Sequence, residues 1–94
     1  MADISITPVE ASRFDVQLTE GRTSTTHRVT VPESMLENPE LRGVDPEVIV
    51  LRSIEFLLER EPPTSIMSEF SLDVIPRYFS DYDTELRRRL SVTE

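Results

Sequence analysis

Apolar and polar residues alternate along the first third of the chain, and this period of two predicts β-structure. Ile4 and Ile6 alternate with Ser5 and Thr7 until Pro8 interrupts the pattern. That predicts a weak strand at a sheet edge, where a residue without an N–H does least harm. Phe14, Val16 and Leu18 then alternate with Asp15, Gln17 and Thr19, and His27, Val29 and Val31 alternate with Arg28 and Thr30. Each run presents one apolar face, as a half-buried strand does. Between them stands Gly21-Arg22, and a type II′ hairpin turn takes glycine at its first central position. With these two as the loop, Phe14 faces Val29, Val16 faces His27 and Leu18 faces Thr25. On the other face Asp15 lands opposite Arg28, an opposite-charge pair. A loop at Arg22-Thr23 would lack the glycine and put a β-branched residue where φ is positive.

The period then changes to that of a helix. Pro32 to Glu37 reads as a single helical turn with acids at its positive end, and Pro39 and Gly43 keep it short. Asp45 caps a longer helix, Pro46 takes its first position and Glu47 complements the dipole. Glu47, Val50, Leu51, Ile54, Leu57 and Leu58 share one face of this helix, which runs from about 45 to 60 and stops at Pro62-Pro63. Val48, Ile49 and Phe56 widen the apolar surface, so two neighbours are expected to cover it: the hairpin, and either the C-terminal third or a second copy of the chain. Beyond the prolines, Ile66, Met67 and Phe70 read as a short capped turn and residues 71 to 75 as broken turns ahead of Pro76. Tyr82, Leu86 and Leu90 recur every four residues, which predicts a last helix over 81–91. The fold class is therefore α+β: an N-terminal antiparallel hairpin or three-stranded meander packed on one main helix, plus short C-terminal helices.

At 94 residues the chain is expected to form a single domain, 1–94, with a β part (1–32), a turn and main helix (33–61) and an aromatic-rich helical part (62–94). Its 37% apolar content lies below the roughly 45–50% usual for globular domains on a count that includes glycine, so burial leaves a thin margin over conformational entropy. A homodimer is one way to widen that margin. There are 18 acidic and 10 basic residues, every base is arginine, and the net charge is −8. The simpler reading is solubility; the functional one is a basic protein partner, since such a field repels nucleic acid and anionic membrane. No cysteine is present, which removes disulfides and thiolate chemistry. The N-terminus has no leader-like pattern and the longest aliphatic run, Val48 to Leu51, is far short of a membrane span, so a cytoplasmic location is expected.

Candidate chemistry is sparse. His27, the one histidine, sits on the inward face and is read as a hydrogen-bonded structural residue, because a metal site needs several clustered ligands. Glu33, Glu37 and Glu40 form a solvated acidic edge without calcium-loop spacing. Arg87, Arg88 and Arg89 close the last helix, where cations complement the dipole. No catalytic residue, cofactor site or metal site is predicted. The aromatic set Phe70, Tyr78, Phe79 and Tyr82 either roofs the main helix or, if exposed, anchors a partner.

Two resemblances follow from these stretches. Ser53 to Pro62, followed by Ser65-Ile66, Phe70, Leu72, Ile75, Tyr78-Phe79 and Tyr82, resembles a pattern shared by short uncharacterised bacterial proteins, over roughly residues 14 to 86. That resemblance implies one domain and no particular activity. The threonine-rich strand Thr25 to Val31, the short helix, the glycine and the second amphipathic helix resemble the order found in ribbon-helix-helix repressors and antitoxins. It implies DNA binding through Thr26, Arg28 and Thr30. The chain departs from that family at Pro39, in the in-chain strand partner at residues 13–20, and in lacking basic flanks for phosphate. The expectation is thus a non-enzymatic, antitoxin-like interaction or regulatory module, with a DNA-binding regulator as the alternative.

Overall fold

The computed structural model describes residues 3–39, 41 and 43–92. Its first three strands, β1 (Asp3–Glu10), β2 (Arg13–Glu20) and β3 (Thr23–Thr30), form an antiparallel meander. β2 and β3 pair in the register that a Gly21-Arg22 loop requires: Phe14 with Val29, Asp15 with Arg28, Val16 with His27, Leu18 with Thr25. Gly21 has φ +61° and is followed by a residue of negative φ, the sign pattern of a type II′ turn. The Ala11-Ser12 connection contains no residue of positive φ, and the β1 ladder shifts by one residue at Val9, a bulge just after Pro8.

A fourth strand was not anticipated. Glu69–Ser71 (β4) pairs parallel with β3, opposite Arg28 to Thr30, giving the order β1-β2-β3-β4. The expected turn containing Phe70 is thus a strand, reached from β3 by a crossover through the one-turn helix α1 (Glu33–Leu36) and the main helix α2 (Pro46–Leu58). The Asp45 carboxylate accepts the Glu47 N–H at 2.9 Å and Pro46 is the first helical residue, as the cap predicts. Two short 3-10 turns flank β4. The chain then forms α3 (Ile75–Tyr78) and α4 (Tyr82–Val92), so the α+β class holds.

One apolar cluster runs from Phe14, Val16, Leu18 and Val29 on the sheet through α2 to Tyr82 and Leu86 on α4. α2 touches both β1 and α4, so the C-terminal third is its second cover. This rotates the buried face from the one expected. Ile49, Ser53 and Phe56 are buried beside Val50, Ile54 and Leu57, whereas Leu51 and Leu58 are only half-buried. The reason is polar. Ser53 sits at the centre of the α2–α4 seam because its hydroxyl is satisfied there.

Candidate functional site

The C-terminal third builds a groove from segments that have no regular pattern of their own. After α2, Pro62 is extended and Pro63–Ser65 forms one 3-10 turn, so the chain doubles back along the sheet. It is tied there twice: the Arg28 N–H donates to the Ser68 carbonyl at 2.7 Å, and His27 Nδ1 lies 2.7 Å from the Met67 carbonyl. A carbonyl can only accept, so Nδ1 carries a proton and donates, and in the neutral ring Nε2, 2.8 Å from Thr25 Oγ1, accepts a hydrogen bond from the threonine O–H. His27 is 2% exposed with both nitrogens engaged. It is a clamp between β3 and the stretch leading into β4.

The groove lies between the end of α2, residues 65–67 and α3, with a volume of about 290 Å³. Ile66, Phe70 and Ile75 are its buried floor, while Met67 (44% exposed) and Tyr78 (70%) stand at its mouth. Among the described residues lining it, Glu61 alone carries a charge. The neighbouring Arg60 is engaged elsewhere: its guanidinium lies 3.7 Å from the Phe56 ring centroid and bonds Asp81 at 2.5 Å.

The four aromatics singled out from sequence therefore part company. Phe70, Tyr78 and Phe79 line the groove, but Phe70 does so from beneath and only Tyr78 is open to solvent. Phe79 is half-buried, its ring edge-on to Phe56 at 5.8 Å. Tyr82, 1% exposed, is not at the surface: it packs on Phe56 at 5.3 Å and its hydroxyl lies 2.7 Å from Ser53 Oγ. Ser53 gives its own proton to the Ile49 carbonyl, so Tyr82 O–H donates to Ser53. Phe79 and Tyr82 thus roof α2. The residues that complete the groove, Leu57, Glu61, Ser65, Ile66, Met67, Val74 and Ile75, carried no site signal, because they come from three separate segments.

Burial pushes the Tyr82 phenol well above its ordinary range, and the nearby Asp83 charge adds to the shift. Below the ordinary tyrosine value of about pH 10 both folded and unfolded chains keep this proton, so the contribution to stability is full. Above it the unfolded chain loses the proton and the folded chain keeps it, so stability falls, by up to about 1.4 kcal/mol per pH unit. Denaturant melts over about pH 9 to 11 should show that slope in the native chain and not in Tyr82→Phe. At neutral pH the same variant should lose only about 1 kcal/mol, because Ser53 keeps its bond to Ile49. A slope that persists in the variant would assign the alkaline loss to another group.

Thr26, Arg28 and Thr30 lie on β3, with Thr26 and Arg28 exposed and Thr30 half-buried. β2 bonds one edge of β3 along its length and β4 bonds the other beside Arg28 to Thr30, so Arg28 and Thr30 lie in a stretch already paired on both sides. Arg28 bonds Asp15 at 3.1 Å, which raises its already high pKa. At the other end of the chain, Arg88 pairs with Glu85 at 2.9 Å within α4, and Arg89 pairs with Glu59 at 2.7 Å, which ties α4 to the end of α2. Glu33 and Glu37 are exposed, and Glu40 lies outside the described residues. Among the described residues no three His, Asp or Glu side chains converge as metal ligands, and no helix is long and apolar enough to cross a membrane.

No protein-family model, curated protein or solved structure matches this chain. The functional reading therefore rests on the groove itself: an apolar floor, an open aromatic lip and one carboxylate.

Proposed function

We propose that the chain is a non-enzymatic interaction module of the regulatory, partner-neutralising kind, and that it seats an apolar side chain of a basic protein partner in the groove beside Tyr78. The observation that carries this is the pairing of an exposed tyrosine and methionine with a closed apolar floor. A tyrosine kept 70% exposed at the lip of an apolar depression contributes little to folding. Aromatic side chains in that position are the usual anchors of an interface. Glu61 at the rim and the net charge of −8 favour a partner segment whose apolar anchor is flanked by arginine or lysine. The groove offers no activated nucleophile, since its polar side chains are Glu61, Ser65 and the Tyr78 phenol, and His27 is sealed behind it.

The test uses a short peptide with a central phenylalanine flanked by arginines, beside its glutamate-flanked and alanine-centred counterparts. In methyl-labelled protein the arginine–phenylalanine peptide should shift the Met67 methyl and leave that of Met35 in place. Tyr78→Ala and Glu61→Gln should each weaken binding by about tenfold, the effect expected of one hot-spot or charge contact. A response at Met35 instead, or equal binding of the alanine-centred peptide, would move the site elsewhere.

A further inference from the structure

Among the described residues no strand pairs with the outer edge of β1, and the chemistry of that edge is self-complementary. The Val31 N–H donates to the Ser12 carbonyl at 2.8 Å, so Ser12 turns its backbone groups toward the third strand. By the alternation of an antiparallel ladder, Phe14, Val16 and Leu18 do the same, and Asp15, Gln17 and Thr19 turn theirs toward β1. Their β1 partners are Thr7, Ser5 and Asp3. Ile4 and Ile6 therefore point their N–H and C=O groups outward, away from the sheet. Their side chains belong to the apolar face yet are only half-buried, because the sheet ends beside them. Pro8 and the bulge at Val9 blunt this edge at one end only, leaving Asp3 to Thr7 unguarded.

We propose that two copies of this chain associate through β1, antiparallel about a two-fold axis at Ser5, which extends the sheet across the pair. This surface is separate from the groove and does not depend on the reading given for it. Centred on Ser5, Ile4 of each copy faces Ile6 of the other in a pair that exchanges both backbone bonds, so all four outward N–H groups are used. The isoleucines then cover one another on the helix-bearing face. Asp3 falls opposite Thr7, so no like charges meet directly. Moving the axis to Ile6 would set Ile4 against Pro8, which has no N–H to return. A strand partner of different sequence is not needed to satisfy this edge; the edge satisfies itself.

The opposing force is net charge, −8 on each copy. Association should therefore tighten as salt screens it. Sedimentation of the full chain should show a reversible monomer–dimer equilibrium by about 1 mM protein, shifted toward dimer by added salt. The axis is read with single cysteines, because the chain has none of its own. Directly opposed residues in a pair without backbone bonds have Cα atoms about 4.5 Å apart, within disulfide reach. Ser5→Cys should thus link two copies on mild oxidation, while Thr7→Cys, facing Asp3, should stay single. Both positions are solvent-exposed on the open face, so neither change disturbs the core. A monomer at every concentration and salt overturns the proposal. So does a dimer in which Ser5→Cys fails to link, or in which Thr7→Cys links as readily.

Discussion

Phe56→Ala is expected to remove about 3–5 kcal/mol of stability, as large aromatic truncations in a core do. The side chain is fully buried, and three groups lean on it: the rings of Phe79 and Tyr82, both edge-on, and the guanidinium of Arg60. Alanine leaves a void between α2 and α4 into which none of these can move freely. Tyr82 is held by Ser53, and Arg60 by Asp81. Phe79 would lose its backing at the groove wall as well. Since domains of this size hold about 5–15 kcal/mol in total, a large share of the fold's margin stands on this ring. Urea unfolding should show a lower midpoint with an unchanged slope. A loss below about 1.5 kcal/mol would mean that the seam can collapse around the missing ring.

The second large effect is expected at His27. Leucine there keeps most of the volume and the apolar contacts but offers no proton to the Met67 carbonyl. A buried acceptor left without its donor costs about 1–3 kcal/mol, and the Thr25 hydroxyl loses its partner too. The damage should be local before it is global. Hydrogen exchange should speed up first at the Arg28 amide, which bonds Ser68, and in β4, while the β2–β3 amides keep their protection. Because Met67 stands at the groove mouth, the variant should also bind the arginine–phenylalanine peptide more weakly. Uniform loss of protection across the sheet would show that the histidine supports the whole molecule and not one joint.

What could be read from residues alone follows from how local each cause is. The β2–β3 register rests on one glycine able to take φ of +61° and on two clean alternations beside it. The start of α2 rests on Asp45-Pro46-Glu47, three adjacent residues with three separable roles. The last helix, 82–92, follows from the spacing of Tyr82 and Leu86, both buried. β4 escaped because three residues with a single apolar member, Phe70, show no period, and a parallel partner far back in the chain leaves no local trace. The buried face of α2 was misplaced for a related reason. Hydropathy alone turns Ser53 outward, whereas its bonds to the Ile49 carbonyl and to the Tyr82 hydroxyl, 29 residues on, make the inward position favourable. The groove gathers Leu57 and Glu61, then Ile66 and Met67, then Val74 and Ile75, so its lining comes from both sides of β4 and from no single segment.

The parallel pairing of β3 with β4 also predicts an order of events as the chain folds. The meander needs only neighbouring stretches and can close by short loops, whereas β4 must wait until the crossover has been laid down and its ends brought together. The floor of the depression beside Tyr78 includes Phe70 of β4, so it is complete only with that strand in place. Its shape is thus tied to the least local pairing of the sheet, and a partner that binds only the closed form would add to the stability of that pairing.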